Sequence, residues 1–304
     1  MNKGRLVIAG GSGFIGSALA ADWLARGGEA VVLTRAPRRR EDGVIEAEWD
    51  GVHIGEWIKY LNGAEGVIGL AGKNINCRHT PAAIRELAES RINAVQTLAQ
   101  GMAHVAKPPR AWVQASAIGF YGNRGDELLD ESSSNGSGTL AEICRQWEGA
   151  FNSTNVPGTR KVLLRTGVVL GRGGGALPIL ARLTRWFLGG RVADGTQFIT
   201  WIHLKDLTQM FWESLLGEDL TGIFNAVAPG AVTNDEFMRQ LRRTLRRPWG
   251  PPVPAWAFKM GAKLMGTEPS LALEGCRVSP KRFQTAGFQF QFPTIEMALA
   301  ELAA

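Results

Sequence analysis

The feature that most constrains the fold is the glycine-rich stretch GGSGFIG at residues 10–16, which joins an apolar run to a helical pattern. Gly10 allows a tight turn after a strand, Gly13 lets backbone N–H groups approach a pyrophosphate, and Gly16 allows close packing of helix on strand. The start of the helix then faces the negative charge. A second apolar run, AVVLTR, follows at the distance that a βαβ unit requires. The stretch therefore predicts a dinucleotide site.

Apolar runs alternate with helical patterns through the first half of the chain. These runs, such as RLVIA, GVIGLAG and RKVLLRT, do not alternate with polar residues. They are typical of parallel strands buried on both faces, with helices between them. We expect an α/β fold with a Rossmann-type doubly wound parallel sheet in a domain at 1–171. The Pro-rich and Gly-rich stretches after residue 171 predict a smaller, mostly helical substrate-binding part at 172–304, interleaved with the first.

The formal charge of +6 comes from 34 Lys and Arg against 28 Asp and Glu. The cluster Arg239 to Arg247 alternates with apolar residues at helical spacing and has no nucleic-acid motif beside it, which favours a solvated helix face. We expect a small-molecule substrate as partner, with neither nucleic acid nor membrane, and homo-oligomer formation stays open. The stretch SSSNGSG at 132–138 indicates a mobile loop.

The cysteines and histidines indicate neither disulfides nor metal. Cys77, Cys144 and Cys276 are far apart and lack Cys-x-x-Cys spacing, which favours a reducing, cytoplasmic location. The first apolar run is too short for a signal peptide, and no run approaches the roughly 18 residues of a membrane helix. The four histidines show no metal-ligand spacing, and we expect no metal.

The end of the second strand predicts which dinucleotide binds. An NAD site has an Asp or Glu there for the adenosine ribose hydroxyls, whereas this chain has Thr34 and Arg35. A carboxylate would repel a 2′-phosphate, while a guanidinium binds it through charge-assisted hydrogen bonds. We expect NADP(H) in preference to NAD(H), with Arg35 as the main ligand and Arg38 or Arg39 as helpers. A surface arginine placed there by chance is the alternative.

Several segments resemble a known family. The glycine turn, SRINAVQTL at 90–98, SAIGFYG at 116–122 and LLRTGVVLG at 163–171 resemble the NAD-dependent epimerase/dehydratase branch of the short-chain dehydrogenase/reductase superfamily. The segments LAEICRQWE, WIHLKDL and VSPKRFQTAGFQFQFPT are similar to its atypical subgroup of epimerase family proteins, often labelled nucleotide-sugar epimerases. The resemblance runs along nearly the whole chain in order.

The resemblance implies a set of cofactor-binding residues. Arg35 would meet the ribose phosphate, Asp50 would lie near the adenine edge, and Asn93 would help to hold a proton-relay water. The residues implied for the pyrophosphate are Gly10, Ser12, Gly13, Phe14, Ile15 and Gly16, and those implied beneath the nicotinamide ribose are Leu70, Ala71 and Gly72.

The same resemblance exposes a gap in the acid/base residues. In this superfamily a Ser polarises the substrate oxygen, a Tyr exchanges a proton, and a Lys four residues later lowers the pKa of the Tyr, which is otherwise about 10. Alignment on Glu148 places Leu140 at the Tyr and Cys144 at the Lys. Both functional groups are therefore missing.

The remaining candidates are few. Ser116 and Tyr121 are the predicted catalytic residues, although the register of SAIGFYG also allows Ala117 at the Ser position. Cys144 is a candidate nucleophile, but a buried Cys is more often inert. His203 is more often structural than catalytic in such a setting.

The sequence thus favours an NADP(H)-binding epimerase or oxidoreductase with an atypical active site. It would act on a small polar substrate, nucleotide-linked by resemblance, without the Tyr–Lys pair. The alternative is a non-catalytic NADP(H)-dependent sensor or scaffold, in which cofactor binding orders the loop at 132–138 for a partner.

Overall fold

The computed structural model describes residues 4–303. In that range the strands are β1 (Arg5–Ala9), β2 (Glu29–Thr34), β3 (Ile45–Glu48), β4 (Gly66–Gly69), β5 (Ala111–Ala117), β6 (Leu128–Leu129), β7 (Arg160–Thr166), β8 (Val168–Leu170), β9 (Phe198–Ile199), β10 (Trp201–His203), β11 (Gly222–Ala226), β12 (Val232–Thr233) and β13 (Arg277–Val278). The helices are α1 (Phe14–Ala25), α2 (Pro81–Ala103), α3 (Thr139–Ser153), α4 (Leu177–Arg185), α5 (Leu204–Leu216), α6 (Asn234–Thr244), α7 (Ala255–Leu264), α8 (Ser270–Leu273), α9 (Lys281–Thr285) and α10 (Ile295–Ala303), with 3-10 turns at Glu56–Tyr60 and Ile118–Tyr121.

Seven parallel strands form one sheet in the order β11-β7-β5-β4-β1-β2-β3. Val7 of β1 lies between Val31 of β2 and Val67 of β4, so the register is fixed by apolar residues. The chain order reverses between β1 and β4, and ligands of doubly wound sheets bind beyond the carboxyl ends of strands at such a point. The predicted Rossmann-type α/β fold is confirmed.

The sheet separates two apolar cores, which explains the unbroken apolar runs. On one face Trp23 of α1 packs on Trp212 of α5, with ring centroids 5.3 Å apart. On the other, Trp112 of β5 meets Phe151 of α3 edge-on at 4.7 Å. Helix α2 begins where Thr80 accepts a hydrogen bond from the N–H of Ala83 and Pro81 takes the first helical position.

The C-terminal half contributes to the sheet and covers its edge. Strand β11 follows residue 171 yet pairs with β7, and β13 pairs with β6 of the first half. Arg282 donates to the carbonyls of Ile223 and Thr221, so the outer edge of β11 is closed to another strand. The two predicted parts share one strand layer, while their boundary at residue 171 stays a prediction.

The loop at 132–138, which its composition predicts to be mobile, is hydrogen-bonded to the backbone of neighbouring segments. The N–H of Gly136 and the amide of Asn135 both donate to the carbonyl of Phe120, and Asn135 also reaches the carbonyl of Ala141. A Cβ on Gly136 would lie 1.9 Å from the carbonyl oxygen of Tyr121. Its polar composition therefore serves hydrogen bonds to the backbone that carries the candidate site.

His203 connects the C-terminal helix α10 to the start of α5. Its Nδ1 accepts the N–H of Lys205 at the start of α5, and its Nε2 lies 3.2 Å from a carboxylate oxygen of Glu301 on α10. The ring stacks on Phe292 at 3.9 Å. These contacts agree with a structural role, and burial lowers the pKa of His203 although Glu301 opposes the shift.

We predict that His203 makes stability fall on mild acidification. Because its folded-state pKa is lowered, its contribution is present above the unfolded value of about 6.5 and is lost as pH falls through the folded value. The His203→Asn variant keeps a capping oxygen and should show a flatter decline in Tm between about pH 7 and pH 5. The exposed His104→Asn is the control and should keep the wild-type slope; an unchanged slope in His203→Asn would refute the assignment.

Candidate functional site

The turns after β1 and β4 contact each other at the place where the strand order of the sheet reverses. Gly10 has φ +76°, and a Cβ there would lie 2.7 Å from the Cα of Ala71. Gly13 is the N-cap of α1 and has no side-chain cap, so the first N–H groups of the helix are open to a ligand. The positive end of the helix therefore faces a groove that can take an anion.

This groove continues into a cavity of about 400 Å³. Its wall also includes a glycine-rich loop at 171–175, which follows β8. A Cβ on Gly171 would lie 2.5 Å from Phe14 Cζ, so a side chain at this position would displace the Phe14 ring at the start of α1. The residues that line the cavity are Ser12, Gly13, Phe14, Ser17, Ala18, Gly173 and Leu204. The sequence analysis missed this loop, although the run GRGGG is a visible signal.

Arg35 and the glycine turn both lie at the carboxyl ends of the strands. The N–H of Gly10 donates to the carbonyl of Leu33, two residues before Arg35. Arg35 is exposed, and among the described residues its side chain has no hydrogen-bond or ion-pair partner. The neighbouring Arg40, in contrast, is held by Asp42 and Glu46. Arg35 is thus the guanidinium beside the turn that is available to an anion.

The other predicted cofactor residues follow the ends of neighbouring elements. The N–H of Trp49 donates to the carbonyl of Thr34, which places Asp50 beside the end of β2. The Asp50 carboxylate accepts the N–H groups of Val52 and His53 and contacts the His53 ring at 2.6 Å, which holds the pKa of Asp50 well below its usual range. The N–H of Leu70 donates to Ala9, and Asn93 lies half-buried on α2.

Ser116 belongs to a buried polar network. Its hydroxyl donates to a carboxylate oxygen of Glu148 at 2.7 Å, and Arg165 binds both oxygens of that carboxylate at 3.0 and 2.8 Å. Both charged side chains are at most 5% exposed. Burial opposes the charge of Arg165, but Glu148 outweighs it, so the pKa of Arg165 is raised. The Ser116 hydroxyl is therefore directed at an ion pair between α3 and β7.

Tyr121 extends the same network to the C-terminal half. Arg165 donates to its hydroxyl at 2.9 Å, and that hydroxyl lies 2.8 Å from Asn225 Oδ1 and 3.0 Å from the carbonyl of Asp130. Tyr121 has no exposed surface, and burial raises its pKa. The phenol is thus neutral, and its hydroxyl group is already hydrogen-bonded to three protein groups. A catalytic base would instead have a free position for the substrate.

Leu140 and Cys144, which the family resemblance places at the Tyr and Lys positions, pack beside the turn that follows β5. A Cβ on Gly119 would lie 3.5 Å from Leu140 Cβ and 3.6 Å from Cys144 Sγ. Burial raises the pKa of the Cys144 thiol to about 12, so the nucleophilic thiolate is disfavoured. Ala117 points to the opposite face of β5 from Ser116, since side chains alternate along a strand.

Arg91 is a candidate residue that the sequence analysis missed. It donates to the carbonyls of Leu87 and Lys73, and its Cζ lies 5.2 Å from the ring centroid of Trp147. A Cβ on Gly72 would lie 3.1 Å from this Cζ. Burial lowers the pKa of Arg91, and no carboxylate pairs with it within residues 4–303. The only signal was its place in SRINAVQTL.

Two further observations concern metals and membranes. Within residues 4–303, no group of three or more His, Cys, Asp or Glu side chains is arranged to hold a metal ion. In the same range, every helix is too short or too polar to cross a membrane.

The fold and the glycine turn define a Rossmann-type protein of the dinucleotide-binding kind, and comparison with known proteins gives its family. A sequence profile of the NAD dependent epimerase/dehydratase family matches residues 6–226, and a domain of unknown function (DUF1731) matches residues 253–302. The chain belongs to the NAD dependent epimerase/dehydratase family, and within it to the group of SDR39U1-type epimerase family proteins. The predicted resemblance is confirmed.

Three relatives illustrate the match. The chain is 36% identical over 308 residues to epimerase family protein SDR39U1 of Bos taurus, covering 99% of this chain and 100% of that protein. The structure of human epimerase family protein SDR39U1 with NADPH has a TM-score of 0.88 at 33% identity, over 98% and 99% of the chains. A nucleoside-diphosphate sugar epimerase from Corynebacterium glutamicum has a TM-score of 0.78 at 32% identity, over 98% of this chain and 58% of the other.

We predict that Glu148 supports the fold of the site. The Glu148→Gln variant leaves Arg165 buried without its counter-charge, which should lower the free energy of unfolding by about 3 kcal/mol. Urea denaturation measures the loss. The matched control is Glu142→Gln on the same helix, where an exposed pair with Arg145 should contribute little. Equal stability of the two variants would contradict the role of the buried pair.

Proposed function

We propose that the protein binds NADP(H) in preference to NAD(H) and acts as an epimerase or oxidoreductase on a small polar substrate. The observation that carries the proposal is the unpaired Arg35 guanidinium beside the glycine turn, where an NAD site would hold a carboxylate. The uncapped start of α1 offers N–H groups to a pyrophosphate. The human relative, whose structure was determined with NADPH, supports the same choice.

The residues present fit the cofactor along its length. The glycine turn and Phe14 would hold the pyrophosphate, Arg35 the 2′-phosphate, and Asp50 the adenine edge. Leu70, Ala71, Gly72 and Asn93 would serve the nicotinamide side. When bound, the nicotinamide supplies hydride transfer to or from a carbon that bears an oxygen.

For the substrate we propose the nucleotide-sugar class. The relative from Corynebacterium glutamicum is described as a nucleoside-diphosphate sugar epimerase, and it shares the fold over 98% of this chain. The excess of Arg and Lys over acidic residues also suits a phosphorylated substrate.

The catalytic roles of Ser116 and Tyr121 stay predictions. Both hydroxyls are buried and bound within the Glu148–Arg165 network, so each can reach a substrate only if that network rearranges. We favour a positioning role, in which the network fixes β5 and the turn that follows it.

Arg91 is our candidate for the cation on the nicotinamide side. One of its hydrogen bonds goes to the carbonyl of Lys73 in the turn at 70–73, and another goes to the carbonyl of Leu87 on its own helix. Its guanidinium is planar and always charged, which fixes the direction of the remaining N–H groups. Its positive charge interacts electrostatically with the Cys144 thiol, which lies at the position that the resemblance assigns to the Lys. We therefore propose that Arg91 keeps a positive charge at this part of the site.

We predict that Arg35 determines the choice of cofactor. In a fluorescence titration the wild type should bind NADPH more tightly than NADH, and Arg35→Ala should weaken NADPH binding by roughly tenfold or more, toward the NADH value. Arg110→Ala is the control, since Arg110 lies directly before β5, at the amino ends of the strands and away from the glycine turn. Equal affinity for the two dinucleotides, or an unaffected Arg35→Ala, would contradict the proposal.

A substrate screen with nucleoside-diphosphate sugars then tests the enzymatic half of the proposal. Conversion of any member establishes an enzyme. Tight NADPH binding without conversion would instead favour the non-catalytic sensor or scaffold.

A separate prediction concerns Arg91. Arg91→Met keeps the length of the side chain but removes its charge and donors, and should raise the Kd for NADPH by roughly tenfold. Arg91→Lys should restore part of the affinity. Arg85→Met, an exposed change on the same helix, should bind as the wild type does. If Arg91→Met lowers Tm but leaves the Kd unchanged, Arg91 is only a packing residue.

A further inference from the structure

Helix α4 presents an apolar stripe to solvent. Ile179, Leu183 and Trp186 follow one another at i, i+4 and i+7, and are 50%, 38% and 75% exposed. Residues with this spacing lie on one helix face. Arg182 and Arg185 flank the stripe. An amphipathic helix normally turns its apolar face inward, so this outward stripe is unusual for a soluble protein.

Helix α7 repeats the arrangement. Trp256, Met260 and Leu264 follow at i, i+4 and i+8, and are 68%, 66% and 89% exposed. Lys259 and Lys263 lie beside them. The second stripe is thus again apolar, with basic residues at its border.

Hydrogen bonds join the segment that precedes α7 to the end of α4 and to the residues that follow it. The N–H of Ala193 donates to the carbonyl of Val253, just before α7, and Arg247 donates to the carbonyl of Arg185 at the end of α4. Trp249 lies on the connecting segment and is also exposed. We refer to residues 179–188, Trp249 and residues 256–265 as the α4–α7 surface.

The tryptophans of the chain divide sharply between the core and this surface. Seven of the ten are buried, namely Trp23, Trp49, Trp57, Trp112, Trp147, Trp201 and Trp212. The three exposed ones, Trp186, Trp249 and Trp256, all lie on the α4–α7 surface. Tryptophan is enriched where a protein meets the interface of a lipid bilayer, because its ring is apolar and its N–H is polar.

The charged residues within the two chain segments that carry the surface are all basic, although Asp194 and Glu268 directly follow these segments and Arg191 pairs with Asp235. The segments 176–193 and 241–267 contain no Asp or Glu. Within residues 4–303, neither Arg182 nor Arg185 of α4, nor Lys259 nor Lys263 of α7, forms an ion pair. The basic residues of the two segments are Arg182, Arg185, Arg191, Arg242, Arg243, Arg246, Arg247, Lys259 and Lys263.

We propose that the α4–α7 surface docks on an anionic phospholipid membrane. Two helices with apolar stripes and basic borders have the pattern of interfacial helices, whose apolar side chains enter the headgroup region while their cations meet anionic lipids. This docking would be peripheral, so it departs from the expectation of no membrane partner, which rested on the lack of a membrane-spanning run. The proposal is independent of the cofactor and substrate.

Charge complementarity favours this occupant over two others. A second copy docked through the same surface would bring like charges together, which opposes association. A nucleic acid would neutralise the cations but would leave Leu264 and Met265 without an apolar environment.

The test uses the full chain with vesicles of phosphatidylcholine alone or mixed with 30% phosphatidylglycerol. We expect flotation with the anionic vesicles but not the neutral ones, and a blue shift of tryptophan emission. Raising the salt to about 0.5 M should weaken binding by screening. The Trp256→Ser/Leu264→Ser double variant should lose at least tenfold in partitioning. Leu128→Ser, an exposed apolar residue on β6, is the matched control and should bind as the wild type does.

Tm measurements on the variants establish that each is folded. Failure of the folded wild type to float with anionic vesicles overturns the proposal, and so does equal binding by the double variant. If sedimentation velocity shows a dimer that the double variant abolishes, while no vesicle binding occurs, the surface is an interface between copies. Salt-sensitive binding to RNA or DNA in place of vesicles would likewise replace the membrane as the occupant.

Discussion

The buried ion pair between Glu148 and Arg165 is the interaction on which the site depends. It joins α3 to β7, and Glu148 also accepts a hydrogen bond from the Ser116 hydroxyl of β5. Arg165 donates to Tyr121, whose hydroxyl is hydrogen-bonded to Asn225 of β11. Such a pair costs desolvation energy, so its benefit lies in fixing one arrangement of several elements. Because these hydrogen bonds link five side chains in series, the carboxyl ends of β5, β7 and β11 are held together.

The two halves of the site differ in how closely they follow the superfamily. The half that would hold the dinucleotide keeps the glycine turn, the uncapped helix start and a free guanidinium. The half that would handle protons has Leu140 and Cys144 packed on Gly119, while Ser116 and Tyr121 serve the buried network. Arg91 contacts both halves, since it donates to the carbonyl of Lys73 after β4 and its Cζ lies 5.2 Å from the ring centroid of Trp147 on α3.

The C-terminal half has two faces of different composition. One face seals the sheet, since Arg282 occupies the edge of β11 and His203 ties α10 to α5. The other carries the exposed tryptophans and unpaired cations of the α4–α7 surface. A surface of this composition is costly to leave in water, which is the physical reason to expect a partner for it.

The sequence by itself predicted the parallel sheet and the glycine turn, because both depend on local patterns along the chain. The position of Arg35 follows from the end of the second apolar run, and the loss of the Tyr–Lys pair is what the family resemblance implies. Helices α2 (Pro81–Ala103) and α3 (Thr139–Ser153) likewise follow from local patterns. Only the tertiary structure decided where Ser116 points, what holds the loop at 132–138, and how Arg91 and the 171–175 loop come to the site. Those features join residues from distant segments, and the direction of a side chain on a strand is set by packing against elements that the local pattern does not specify.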